Sequence, residues 1–264
     1  MQTNLKNMVL LYFLLLIHSV ISQLYFPDKL SSLPTMSELT RKYNLPSTLT
    51  DLKVITHDKE TVHLYYILHP NATHLLLLFQ SNAGAFIDRL QLLKQFYNRL
   101  NVHVGVLSYR GFGVSTGKPT EDGLTDDAVS VLDALSATIP LNNITLLGRS
   151  LGVGVALSAA QRRGVSKLIL ENGFSSLKEF RKVDTKDRWD NLSKFETINK
   201  SIKILFLESM NDEIVDNRMT EKMFNHSVNK GFDAKIERFE GARHMSLPSF
   251  LKYYEVIGEF LKEK

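Results

Sequence analysis

Five consecutive residues, Gly148-Arg149-Ser150-Leu151-Gly152, carry the clearest chemistry in this chain. In a G-x-S-x-G the serine sits on a sharp turn from strand to helix, and the glycines leave room for a backbone that larger side chains would obstruct. The flanks suit such a turn. Ile144 to Leu147 reads as a buried strand, and Val153 to Ala160 as a helix of small residues. A hydroxyl is a poor nucleophile at neutral pH, so Ser150 needs a base within hydrogen-bond reach and a group that orients the base. The competing reading makes Ser150 a helix cap in the glycine-rich turn of a nucleotide-binding α/β fold.

Where a serine is used on such an elbow, the orienting acid and then the histidine follow it in the chain, on loops after late strands. Of the eight histidines, only His226 and His244 follow Ser150. His226 falls inside an expected helix, whereas His244, in Glu240-Gly-Ala-Arg-His244, follows a strand ending at Phe239. Asp212 follows the apolar strand Ile204 to Leu207 by a short loop and is the candidate acid, with Glu208, Glu213 and Asp216 as close competitors. Its role would be to accept the imidazole N–H and stabilise the imidazolium. An oxyanion needs two backbone N–H donors: Leu151, directly after the serine, and Asn82 in the loop Phe79-Gln-Ser-Asn-Ala-Gly84. Arg149 beside a buried sheet needs a partner, and Glu171 at the end of the next strand is the expected one. Tyr109-Arg-Gly-Phe-Gly113 reads as a tight structural loop.

The elements that must position these groups alternate. A hairpin is expected over 52–56 and 62–68, then strands at 74–79, 102–107, 144–147, 167–170, 202–207 and 234–239. Helices are expected over 86–100, 123–137, 153–160, 219–228 and 248–261. Apolar strands with short connections imply an α/β fold built on a mostly parallel, doubly wound sheet covered on both faces. Residues 174–202 leave room for one or two short helices and no large cap domain. The expected organisation is an N-terminal segment 1–22, a proline-punctuated extended linker 23–49 packed on the domain, and a catalytic domain 50–264.

With 264 residues and a formal net charge of +4, the chain can bury one large core. Its Lys and Arg residues are scattered, which argues against a nucleic-acid groove. The absence of cysteine excludes disulfides, thiol catalysis and Cys-ligated metal sites. Lys6, the apolar run Met8 to Ile17 and the small residues Ser19 and Ser22 read as a secretory signal peptide or a signal-anchor transmembrane helix. Five sequons, at Asn71, Asn143, Asn191, Asn199 and Asn225, agree with entry into the secretory pathway, with Asn191 and Asn199 better suited to a glycan than Asn143.

Taken together and in order, Ser81-Asn-Ala-Gly84, Tyr109-Arg-Gly-Phe-Gly113, Gly148-Arg-Ser-Leu-Gly152, Glu171-Asn-Gly-Phe174, Asn211-Asp212 and Glu240-Gly-Ala-Arg-His244 resemble the α/β-hydrolase superfamily. Within it they resemble the membrane-anchored ABHD branch that includes the bud-emergence (BEM) group. The resemblance runs from about Tyr25 to Phe260. It implies a serine hydrolase with triad Ser150, Asp212 and His244, oxyanion donors Asn82 and Leu151, and no metal or organic cofactor. The implied substrate is a small-molecule or lipid-like acyl ester or thioester, with a serine peptidase of the aminopeptidase type or a catalytically weak membrane-tethered scaffold as alternatives. The implied location is an endomembrane of the secretory pathway such as the endoplasmic reticulum, as a single-pass protein held by its N-terminal segment, the alternative being secretion after cleavage. Four positions depart from the family: Gln80-Ser81 stands where His-Gly is usual, Ser108 where Asp is usual, and Arg243 where Gly is common.

Overall fold

Consecutive apolar residues build the middle of the sheet, and alternating ones build its edges. The computed structural model describes residues 24–182 and 185–263. Its main sheet consists of β1 (Leu49–Ile55), β2 (Thr61–Ile67), β3 (Leu75–Phe79), β4 (His103–Ser108), β5 (Ile144–Arg149), β6 (Lys167–Glu171), β7 (Lys203–Ser209) and β8 (Asp233–Phe239). Across the sheet the order is β1-β2-β4-β3-β5-β6-β7-β8, with β2 antiparallel to both neighbours and every other pairing parallel. All residues of β3, β5 and β6 are buried, as a strand covered on both faces requires.

Helices α1 (Met36–Tyr43), α2 (Leu90–Leu100), α3 (Glu121–Ser136), α4 (Leu151–Arg162), α5 (Leu177–Arg181), α6 (Asn191–Lys194), α7 (Asn217–Asn229) and α8 (Leu251–Lys262) complete the chain. One core cluster joins one face of the sheet to α3, α4 and α7, through residues such as Leu124, Val155 and Met223. The other joins the opposite face to α1, α2 and α8, through Leu39, Leu93 and Ile257. Among the described residues only the short α5 and α6 lie between β6 and β7, so no large cap covers the strand ends.

From β3 the chain steps to β4 on one side, then returns past β3 to β5 on the other. This reversal opens a crevice at the carboxyl ends of β3 and β5, the position at which open α/β sheets bind ligands.

Two expectations need correction. Residues 36–43, read as extended linker, form α1. Thr35 Oγ1 accepts from Glu38 N while Glu38 Oε2 accepts from Thr35 N, a capping box at one end, and Asn44 closes the other end with φ 49°. The segment also adds strand pairing, with Phe26–Pro27 parallel to Ala83–Gly84. Asn191 is unsuited to a glycan because it is 0% exposed; its Nδ2 donates to Phe174 O and its Oδ1 accepts from Lys194. Asn71, Asn199 and Asn225 are exposed. The signal or anchor expected at 1–22 lies outside the described residues, among which no helix is long and apolar enough to cross a membrane.

Candidate active site

Gly148 and Gly152 are glycines because the turn between β5 and α4 has no space for a side chain. A Cβ on Gly152 would lie 2.0 Å from Phe79 O, and one on Gly148 would lie 2.4 Å from Gly152 O. Between them Ser150 takes φ 55° and ψ −116°, a conformation that costs a non-glycine residue about 1–3 kcal/mol. Its N–H donates to Glu171 O on the neighbouring strand end, which helps hold the strained turn.

The base and acid come from adjoining loops at the same edge. The loops after β7 and β8 are tied together by Met210 N to Phe239 O, Asn211 N to Ala242 O, and Gly241 N to Asn211 Oδ1. Within this frame His244 Nδ1 lies 2.7 Å from Asp212 Oδ2, with both side chains almost wholly buried. Asp212 Oδ1 accepts from the N–H groups of Ile214 and Val215, each at 2.9 Å. The carboxylate is therefore fixed at both oxygens, and a buried pair in such geometry is stronger than an exposed one.

The competing carboxylates are occupied elsewhere. Glu208 accepts from Arg238 Nε at 2.8 Å, and burial pushes its pKa up despite that partner. Glu213 accepts from the backbone N–H of His244 and faces Arg243. Asp216 caps α7 through Arg218 N. Of the four candidate acids, Asp212 is the one on the imidazole.

Ser150, His244, Leu151 and Asn82 line one cavity of about 350 Å³, at the lower end of the range for ligand pockets. Asn82 is anchored from both its side chain and its carbonyl: Nδ2 donates to Leu24 O, and its own O accepts from Phe26 N. The N-terminal segment thus shapes the loop that follows β3, and Leu24 itself lines the cavity.

Gln80 is 0% exposed, and neither atom of its side-chain amide finds a partner among the described residues. Its carbonyl accepts from Tyr109 OH at 2.9 Å, which gives the Tyr109–Gly113 loop its structural role. Ser108 Oγ donates to Phe112 O within that loop, and Arg243 is exposed. Among the described residues no group of three His, Asp or Glu is placed to hold a metal ion.

The expected Arg149–Glu171 pair forms. β5 and β6 pair these residues side by side, with Arg149 Nε 2.7 Å from Glu171 Oε1 and Nη2 donating to Oε2 at 3.2 Å. Tyr253 on α8 donates to Glu171 Oε2 at 2.7 Å, and burial beside that carboxylate raises its pKa well above the ordinary tyrosine value.

The sequence reading left out Asn172 as a positioning residue. In the left-handed region at φ 49°, its Nδ2 donates to His244 O and to Ser209 Oγ, and its Oδ1 accepts from Ser209 N. An Asn just beyond a buried strand, where left-handed backbone favours it, is the signal that marks it.

Compared with known proteins, the chain is 31% identical to Protein bem46 of Schizosaccharomyces pombe over 254 residues, covering 88% of this chain and 81% of that protein. This chain belongs to the bem46 family of α/β hydrolases. It is also 36% identical over 112 residues to the lysophosphatidylserine lipase ABHD12 of Xenopus tropicalis, a match spanning 40% of this chain and 29% of that one. Among solved structures, an esterase of Pyrococcus furiosus superposes with a TM-score of 0.72 at 15% identity, covering 91% of this chain and 97% of the esterase, a likeness of fold. No family model matches the chain.

Proposed function

We propose that the chain is a serine hydrolase of acyl esters or thioesters, working through an acyl-enzyme on Ser150. The observation that carries this reading is the Asp212–His244 hydrogen bond opening into the same cavity as a serine held at positive φ. With Nδ1 committed to Asp212, the imidazole keeps Nε2 as its free acceptor, the atom that takes the Ser150 proton as the hydroxyl attacks. The N–H of Leu151, in the first turn of α4, and that of Asn82 receive the negative charge on the carbonyl oxygen. His244 then returns its proton to the leaving group, and water attacks the acyl-enzyme by the same route reversed.

Relatives named a lipase and an esterase support an ester-type bond. Nothing favours the aminopeptidase alternative, since among the described residues no carboxylate lines the cavity to meet a substrate ammonium. An N-terminal segment that acts as a membrane anchor would deliver the cavity to a bilayer surface, because Leu24 already stands on its rim. That geometry suits acyl-lipid or acyl-protein substrates on an endomembrane.

A fluorophosphonate probe tests the reading. Wild type is expected to label at Ser150, Ser150→Ala to lose labelling, and Asp212→Asn to label about 10⁴-fold more slowly. An unreactive wild type under native conditions would leave the scaffold alternative standing instead.

A further inference from the structure

Among the described residues, the cavity around Ser150 is lined by two arginines, Arg89 and Arg181, and by no acidic residue. Both are half-buried, and enclosing even part of a guanidinium without an opposing charge is costly. Neither of these forms an ion pair among the described residues, and the Nε of each is buried without an acceptor. We propose that Arg89 and Arg181 form an anion subsite that binds a carboxylate or phosphate group carried by the acyl substrate, close to the scissile carbonyl.

The two cations approach the cavity from different elements. Arg89, between the 3-10 turn Phe86–Arg89 and α2, donates through Nη2 to Ala83 O at 2.9 Å and to Ser81 Oγ at 3.3 Å. Its guanidinium therefore lies against the loop that carries Asn82. Burial and the nearby Arg149 cation depress its pKa, and the Asp88 carboxylate offsets them only in part. Arg181 ends α5, with its guanidinium carbon 5.2 Å from the ring centre of Phe180, which stacks on Phe174. A ligand crossing this aromatic shelf finds apolar contact first and positive charge at its end.

Among the described residues, the nearby acids form no ion pair with either arginine, although the Asp88 carboxylate lies close enough to Arg89 to act on its charge. Asp88 accepts from Ala85 N, Glu179 pairs with Lys222 and accepts from Ser175, and Asp187 accepts from Tyr25. Glu213 on the opposite rim faces Arg243 and the His244 N–H. The positive charge in the cavity is thus available to a ligand. An enclosed charge-assisted hydrogen bond contributes enough to change affinity by roughly 10–100-fold. A volume near 350 Å³ accommodates the charged group and the carbonyl together, while a long acyl chain extends past Ile214 and Met245 on the rim.

The inference rests on the proposed hydrolase only for the position of the carbonyl, so binding is measured apart from turnover. Hexyl phosphate, hexanoate and hexanol are titrated by calorimetry into the full chain bearing Ser150→Ala, at fixed moderate salt. Either anion is expected to bind at least about 10-fold more tightly than the alcohol. The tighter of the two identifies the group: a phosphate headgroup or a carboxylate. Arg181→Gln is expected to remove most of that preference, and Arg181→Glu to reverse it in favour of hexylammonium. Arg89→Lys retains the preference and Arg89→Gln loses it; Arg181, at the end of a short surface helix, carries the test if Arg89→Gln fails to fold. Equal affinity for the three compounds, or a preference that survives at Arg181→Gln and Arg181→Glu, overturns the inference. Anion binding without probe labelling of wild type would overturn the hydrolase and leave the subsite standing.

Discussion

Asn172 has no chemistry of its own in this site, yet three of its hydrogen bonds decide where His244 sits. Its amide holds Ser209 on one side and the His244 carbonyl on the other, and Ser209 Oγ in turn donates to Arg243 O. Proton transfer to an imidazole depends steeply on placement, and a shift near 1 Å costs about 10²-fold. Asn172→Ala is therefore expected to slow fluorophosphonate labelling of Ser150 by roughly 10–100-fold, measured well below the unfolding temperature. Asn172→Asp keeps the acceptor for Ser209 N and loses the donor to His244 O, so it should fall between the two. Labelling at the wild-type rate in a folded Asn172→Ala protein would deny the residue any positioning role. At this scale chain order and spacing single out Ser150 and His244 as candidates, but they do not separate Asp212 from Glu208, Glu213 and Asp216. What separates them is the folded hydrogen bonding, with Arg238 on the neighbouring strand, His244 N and Arg218 N occupying the other three.

At the level of elements, buried strands announce themselves and their supports do not. The all-apolar β3 and β6 interior admit no other reading, and the sheet order follows once short connections force parallel neighbours. Helix α1 is masked in the sequence by the flanking Pro34 and Pro46, although Thr35-Met-Ser-Glu38 spells a capping box. The pairing of Phe26–Pro27 with Ala83–Gly84 carries no local signal, since it joins segments far apart in the chain. The loop that follows β3 holds a cost that predicts a measurable gain. Gln80 buries an amide with no partner among the described residues, a penalty of about 1–3 kcal/mol for a polar group left unsatisfied. Gln80→Met keeps the length of the side chain and removes the amide. It should raise stability by about 1–2 kcal/mol in urea unfolding, with the urea dependence unchanged. A loss of stability of that size would mean the amide has a partner that offsets its burial.

Across the whole molecule, the two ends of the sheet do different work. Ser150, Asn172, Asp212 and His244 all follow carboxyl ends of strands; the amino ends carry a different set of titratable groups. There His74 precedes β3, and its Nε2 lies 2.7 Å from Thr145 Oγ1 on β5. Burial, aided by the Lys167 and His103 charges, lowers its pKa to about 4 from an ordinary value of 6.5. The folded protein therefore resists a proton that the unfolded chain accepts. As pH falls below about 6.5 the unfolded state binds more protons than the native state, so stability declines, and the decline from this group levels off below about 4. The full shift would be worth about 3 kcal/mol, and partial exposure of the ring reduces that to about 1–2 kcal/mol. His74→Gln retains a nitrogen donor for Thr145 and cannot titrate. Its stability is expected to fall less than that of wild type between pH 7 and pH 5, by about 1 kcal/mol, in paired urea titrations. Because the substitution lies at the far end of the strands, the rate of Ser150 labelling at pH 7 should be unchanged. Parallel stability losses in the two proteins would show that His74 takes up its proton as readily folded as unfolded, and that the acid sensitivity of the fold resides in other groups.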